Sequence, residues 1–299
     1  MRIILLLLIS FTTPLAFASM FPLPKPGSDV VGEVQTAIVQ SGDNFPKIAE
    51  KYNVTYTGLT EANPNVNPDK PARGTVLIIP SAYVLPHVPR KGIVINLAEL
   101  RLYYFPKNQN VVYTFPVGIG VEGWNIDPGA FKIVQKQKDP TWYVPPAVHE
   151  ELLQKGFDLP SSIPPGPDNP LGGYMMRLSK WTYLIHGVVD PSTVGRRSSS
   201  GCFRMYPENI QALFAMVPVG TPVRIIDNPY KVGWDNGQLV LEAHVPLQEQ
   251  QVAVTDDNNP LISAINKVVG KNPATIEWNQ AFALAKQAMG LPEQIGQRG

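Results

Sequence analysis

The 299-residue chain has one cysteine, Cys202, which lies sixteen positions after His186 and directly behind Gly201. A thiol becomes a nucleophile when a neighbour takes its proton or stabilises the thiolate. His186 is the natural base, because imidazole changes charge near neutral pH. Arg196, Arg197 and Arg204 bring positive charge to the same stretch. Gly201 would let backbone N–H groups approach a developing oxyanion without a Cβ in the way, and one such donor is worth about 3 kcal/mol in a transition state. The spacing alone fits a buried inert thiol equally well. Composition leaves three readings of a lone exported cysteine, namely inert, dimerising or reactive, since a secreted chain that used thiols for stability would carry them in pairs.

These residues need elements to hold them. Trp181-Thr182-Tyr183-Leu184-Ile185 reads as a strand that runs into His186. Pro207 opens a helix whose apolar positions Ile210, Leu213, Phe214 and Val217 fall at i, i+3, i+4 and i+7. Between them, residues 187–201 form a Gly- and Ser-rich loop. Upstream, 92–97 and 100–105 alternate as a hairpin, and 111–117 and 131–134 add strands. Residues 140–176 are irregular and rich in Pro and Gly, with one short helix in AVHEELLQKG, and such an excursion reads as a functional loop or lid. His149 in it and His87 upstream read as solvated, and His244 as structural or surface.

The chain starts with Arg2, an apolar run over residues 3–9, Pro14 and Ala16-Phe17-Ala18, the plan of a secretory signal peptide over 1–18. The run is too short for a permanent span, which needs about 20 apolar residues, and no other stretch is long enough. With 25 Lys+Arg against 24 Asp+Glu, nothing concentrates the positive charge that nucleic acid requires. The 31 prolines point to many fixed turns. Residues 19–34 and 82–91 read as linkers, 35–81 and 92–227 as two domains, and 228–299 as an extension. In that extension Asn236-Gly237 marks a strand pair and two helices follow, with Thr275 a cap and Gly290 a stop.

Residues 35–81 read strand, helix, helix, strand. Ser41-Gly42-Asp43, Ile48-Ala49, Tyr52-Asn53-Val54, Leu59, Asn63-Pro64 and Gly74 with Ile78-Ile79-Pro80 resemble a LysM domain, a glycan-binding module. That resemblance implies sugar contacts from Gly42, Asp43, Asn44, Asn63 and Asn65. Ser41 or Asp43 is placed to cap the first helix.

From residue 92 to 226 the chain resembles the YkuD-type L,D-transpeptidases. The matching residues are Ile95-Asn96-Leu97, Pro116-Val117-Gly118-Ile119-Gly120, Asn169-Pro170-Leu171-Gly172, Ile185-His186-Gly187, Ser199-x-Gly201-Cys202-x-Arg204-Met205 and Gly220-Thr221-Pro222-Val223. The resemblance implies a mainly β fold, a sandwich or barrel-like catalytic domain with the small βααβ LysM domain and a C-terminal helical extension. It implies acyl transfer from peptidoglycan stem peptides in the periplasm. Cys202 would attack the diaminopimelate carbonyl, release D-alanine and pass the acyl group to an amine of another stem or of an outer-membrane lipoprotein. His186 would be base then acid, with Gly187 beside it. Gly201 and Cys202 N–H groups would be oxyanion donors, and Arg204, Ser199, Ser200 and Tyr183 substrate contacts, with no metal or cofactor. Ser200 replaces the family's usual His, and Asp127-Pro128 its usual Thr-Pro. Transfer to water, as a carboxypeptidase, and non-catalytic wall binding are the alternatives.

Overall fold

A computed structural model describes residues 19–248, 259–270 and 273–299, so the expected leader, residues 1–18, lies outside the described residues. Among them a nine-stranded sheet runs in the order Ser19–Pro22, Val111–Pro116, Arg101–Phe105, Gly92–Asn96, Pro222–Ile226, Gly129–Lys138, Tyr174–Leu178, Leu184–His186 and Phe203–Arg204. The strand Gly129–Lys138 pairs through its first half with Pro222–Ile226 and through its second with Tyr174–Leu178, and its register slips between Ile133 and Gln135. A bulge of this kind bends a strand, and here it folds the sheet over. Ile95, Leu102 and Phe115 from one side then meet Met176, Ile185 and Phe203 from the other in one apolar core. The fold is mainly β and sandwich-like, as expected.

Strands alternate, so Val94, Tyr103, Phe105 and Val112 project from the opposite face of the sheet and need their own cover. Val31, Tyr83 and Leu85, with Phe21 and Leu23, supply it. This corrects the linker reading of residues 19–34 and 82–91. Ser19–Pro22 is the edge strand of the main sheet, and Val30–Gly32 pairs with Ala82–Val84. Proline favours extended edge segments as readily as connections, and the apolar residues between the prolines decide for packing.

The helical module pairs Gln35–Ile38 with Val76–Ile79 and stacks the helices Phe45–Tyr52 and Tyr56–Ala62 on that ribbon, around Phe45, Ile48, Leu59 and Leu77. Asn44, rather than Ser41 or Asp43, caps the first helix by accepting the Lys47 N–H at 3.1 Å. The helix ends at Asn53 in the left-handed region, φ 52°. Asn53 joins the module to the main sheet: its amide donates to the Thr114 carbonyl at 3.2 Å, and its Oδ1 accepts from Asn209 at 2.8 Å.

In the C-terminal part, Tyr230–Asp235 and Gln238–Ala243 form the expected strand pair, and the helices Pro260–Val269 and Trp278–Gln287 pack on it. Ala274–Ile276 and Glu293–Arg298 extend the pair to four strands. Thr275 lies inside one of these strands, and Glu277 takes the cap position.

A cluster of buried charge sits where all three parts meet. Lys231 forms ion pairs with Glu99 and with Glu242, the latter at 2.8 Å, and donates to the Tyr103 hydroxyl at 3.0 Å. His244 bridges Glu242 at 3.0 Å and Glu61 of the helical module at 3.2 Å. Glu99, Glu242 and His244 have the spacing of a metal-ligand group, but the Lys231 ammonium is the cation that Glu99 and Glu242 share.

Candidate active site

Parallel pairing of Leu184–His186 with Phe203–Arg204 sets Ile185 against Phe203 and His186 against Arg204, with the Met205 N–H donating to the His186 carbonyl at 2.9 Å. One register step back, Cys202 is level with Leu184. Sixteen residues of separation thereby become near neighbours on adjacent strands. Side-chain alternation does the rest. Met176, Ile185 and Phe203 point into the core, so the other face carries Arg177, Leu184, His186, Cys202 and Arg204.

Only Leu184–His186 is strand, because residues 180–182 form a tight turn in which Tyr183 N–H donates to the Lys180 carbonyl at 2.9 Å. The His186 Nδ1 lies 2.5 Å from the Gly187 carbonyl oxygen, which can only accept. Nδ1 therefore holds the ring proton and Nε2 the lone pair. Burial pushes this imidazole down to about 4, the Gly187 carbonyl opposes that shift, and the Arg204 charge adds to it. Burial likewise pushes the Cys202 thiol up, against the Leu184 backbone and the charges of Arg204 and Arg177. The resting pair is thus a neutral imidazole and a neutral thiol. The base is ready to accept a proton but does not hold one in advance.

Gly201 has φ +86°, a conformation that side chains resist, and it turns the chain into the thiol. Ser199 Oγ accepts the Cys202 N–H at 3.1 Å and donates to the Cys202 carbonyl at 2.7 Å. Of the two expected oxyanion donors, the Cys202 N–H is bonded to Ser199, whereas the Gly201 N–H makes no hydrogen bond among the described residues. Ser199 thus shapes the nucleophile turn. The helix Pro207–Met216 then leads away, with Ile210 and Leu213 buried.

The helical module braces the loop between base and nucleophile. The Thr57 N–H donates to the Gly195 carbonyl at 3.0 Å, and the Arg196 guanidinium stacks 3.6 Å from the Tyr56 ring centroid. A Cβ at Gly195 would lie 2.5 Å from the Tyr56 nitrogen, so this contact requires glycine.

His186, Ser199, Ser200, Cys202 and Arg204 line a cavity of about 220 Å3 whose far wall is apolar: Trp142, Val148, Leu152 and Leu171. That wall belongs to the irregular stretch 140–176, which therefore lies over the thiol.

Two comparisons bear on this geometry. Residues 90–225 match the YkuD family, L,D-transpeptidase catalytic domain, and residues 37–80 match the LysM domain. "Probable L,D-transpeptidase YcfS" of Escherichia coli strain K12 is 40% identical over 260 residues, 85% of this chain and 80% of the relative. "Probable L,D-transpeptidase ErfK/SrfK" of the same strain is 36% identical over 292 residues, 95% of this chain and 93% of that one. The chain belongs to the L,D-transpeptidases.

In this L,D-transpeptidase the helix Pro146–Gln154 of the covering stretch is tied down by Trp124, whose Nε1 donates to Glu151 at 2.8 Å. Trp124 also lies against Gly201, its carbonyl oxygen 3.8 Å from where a Cβ would stand. Asn169 secures the base of the stretch by donating to the Pro140 carbonyl at 2.7 Å and accepting from Leu171 N–H at 2.9 Å. His149 reaches the Leu159 carbonyl at 2.9 Å, and His87 is exposed.

Not every expected contact reaches the cavity. Tyr183 packs in the core, and its hydroxyl serves Asp127, accepting that residue's N–H at 2.8 Å. The departure at Asp127 is thus matched by Tyr183 and by Lys180, 2.7 Å from its carboxylate. In the LysM domain, Asn63 is buried, donates to the Leu59 and Ile78 carbonyls at 2.8 Å each and accepts the Ile78 N–H at 2.8 Å. Its side chain ties the second helix to the ribbon and is buried there, with both amide N–H groups used. Gly42 and Asn65 are exposed and Asp43 and Asn44 half-buried, on two loops joined by Phe45 N–H donating to Pro68 O at 2.9 Å.

Arg177 and the Trp124–Glu151 pair were not among the expected site residues. The alternation in Tyr174–Leu178 marks Arg177 as facing away from the core, a signal that becomes readable once Met176 is placed inside.

Proposed function

We propose that the protein is an exported L,D-transpeptidase that acts on peptidoglycan tetrapeptide stems through a Cys202 thioester. The observation that carries this reading is the parallel pairing of Leu184–His186 with Phe203–Arg204, which puts His186 and Cys202 on one face of adjacent strands, with the imidazole tautomer set by the Gly187 carbonyl. In the first step His186 Nε2 takes the thiol proton as Sγ bonds the diaminopimelate carbonyl carbon. The Gly201 N–H is the donor available to the oxyanion. As the tetrahedral species collapses, the C–N bond to D-alanine breaks and His186 returns the proton to the departing nitrogen. In the second step an amine attacks the thioester carbonyl, His186 takes the amine's proton, and the C–S bond breaks to restore the thiol. An acceptor amine on a second stem gives a cross-link, and one on a lysine of an outer-membrane lipoprotein gives a tethered protein.

The LysM domain would hold glycan strands through Gly42, Asp43, Asn44 and Asn65, keeping the catalytic cavity close to its polymeric substrate. The test is intact-protein mass spectrometry after incubation with tetrapeptide muropeptides or a carbapenem. The expected result is covalent mass on Cys202, its absence in Cys202→Ser, and chase of the muropeptide adduct by an added amine. Acylation that persists in Cys202→Ser would overturn the thiol mechanism, and resolution by water alone would make the enzyme a carboxypeptidase.

A further inference from the structure

Arg177 is a cation without an anion. It is half-buried beside the thiol, in register with Leu184, which is itself level with Cys202. Adjacent strands lie about 4.8 Å apart, so two such steps separate the Arg177 and Cys202 backbones. Its Nε donates to Gln135 Oε1 at 3.2 Å and its Nη1 to the Trp181 carbonyl at 2.6 Å, and its guanidinium stacks 4.1 Å from the Trp181 ring centroid. All of these partners are neutral. Among the described residues no carboxylate forms an ion pair with it, and its Nη2 makes no hydrogen bond. The other cation of the face, Arg204, differs: it donates to the Ser198 carbonyl at 2.6 Å and feels the Asp190 carboxylate. The neighbouring Lys180 is paired with Asp127.

A partly desolvated guanidinium that is oriented by three neutral contacts and lacks a counter-ion is costly to keep, unless a ligand supplies the missing charge. Trp181, 70% exposed, caps it as a flat outer wall. Arg177 lies on the same sheet face as Cys202, two strands across, so a peptide bound over the thiol and running across those strands would reach it.

We propose that Arg177, held by Gln135 and Trp181, binds the terminal carboxylate of the residue that leaves when the thioester forms. This rests on the acyl-transfer reading above. The leaving residue's carboxylate is one carbon removed from the scissile nitrogen, hence within a few ångströms of the thiol. It is the substrate anion whose position is tied to the reacting bond, and it would limit attack to the penultimate carbonyl of a free peptide end. Once the thioester has formed, the leaving residue takes its carboxylate with it.

The experiment compares two tetrapeptide donors, one ending in D-alanine and the other in D-alaninamide, with wild-type enzyme, Arg177→Gln and Arg177→Lys. Release of the terminal residue is followed by mass spectrometry, and thiol competence by alkylation of Cys202. In the wild type, amidation is expected to lower kcat/KM roughly 10- to 100-fold, the range of a charge-assisted hydrogen bond, mostly through KM. In Arg177→Gln the two donors should become nearly equal, with Arg177→Lys retaining part of the discrimination. An equal loss on both donors, with alkylation intact, would overturn the carboxylate role. A wild type that shows no preference between the donors would do the same. A wild type that releases neither terminal residue and forms no adduct would instead remove the acyl-transfer reading on which the proposal stands.

Discussion

Replacing His244 by Gln should remove a pH-dependent part of the protein's stability. Burial alone would push this imidazole down. The hydrogen bonds and charges of Glu242 and Glu61 override burial and hold it at about 9, against 6.5 for an ordinary histidine. The folded protein therefore binds its proton more tightly than the unfolded chain does. The resulting stabilisation is fully present below pH 6.5, declines between 6.5 and about 9 at ~1.4 kcal/mol per unit, and is gone above. The whole effect is about 3 kcal/mol, a large share of a typical folding free energy. Denaturant unfolding of wild type and His244→Gln at pH 6, 7, 8, 9 and 10, followed by circular dichroism and tryptophan fluorescence, gives the difference between them. Using the difference cancels the titration of groups common to both chains. The expected curve is largest at pH 6 and falls toward pH 10. A difference that stays flat, or that grows with pH, would refute the claim that His244 is a buried cation joining Glu61 to Glu242. A second readout is domain contact: because Glu61 belongs to the LysM domain, protease cleavage near residues 81–91 should accelerate above pH 9 in the wild type and be fast at all pH values in the variant.

The remaining predictions concern the thiol, the covering stretch and the LysM domain. Since burial lowers the His186 imidazole and raises the Cys202 thiol, alkylation by iodoacetamide should keep rising with pH through 9; a plateau near pH 6 would instead reveal a preformed thiolate–imidazolium pair. Trp124→Phe removes the hydrogen bond to Glu151 and should loosen the helix Pro146–Gln154, raising hydrogen exchange in that helix and KM for the donor by roughly 3- to 10-fold, one hydrogen bond's worth; unchanged exchange would show that the stretch is held elsewhere. Asn63→Ala leaves the Ile78 N–H without its acceptor and should lower LysM stability by about 2–3 kcal/mol, whereas Asn65→Ala should leave the melt unchanged and weaken binding to glycan; the reverse pattern would assign sugar contact to Asn63.

The parts of this protein that were legible in its sequence are those in which neighbours along the chain decide the outcome. His186 at a strand end, Gly201 before Cys202 and the helix opened by Pro207 are all local, and their chemistry follows from a few adjacent residues. What was not legible depends on register. Arg177 reaches the thiol face because the turn at residues 178–183, closed by Leu178 N–H to Tyr183 O at 3.0 Å, pairs it with Leu184; a slip of one residue would bury it and expose Met176. The same holds for the segments read as linkers. Phe21, Val31 and Tyr83 look like scattered apolar residues among prolines until Tyr103 and Phe105 are seen to need a covering layer. The buried charges are the extreme case, since nothing adjacent in the chain to Glu61, Glu99, Lys231, Glu242 or His244 marks them as partners, and an isolated Lys231 in that interior would be prohibitively costly. Two carboxylates make it tolerable, and they come from parts of the chain more than 130 residues apart. That dependence is also specific: Glu242 faces Lys231 within the C-terminal strand pair, but a C-terminal part docked in another register would take Lys231 away from Glu99 and His244 away from Glu61, so the cluster favours the one arrangement in which the LysM domain, the main sheet and the C-terminal part meet.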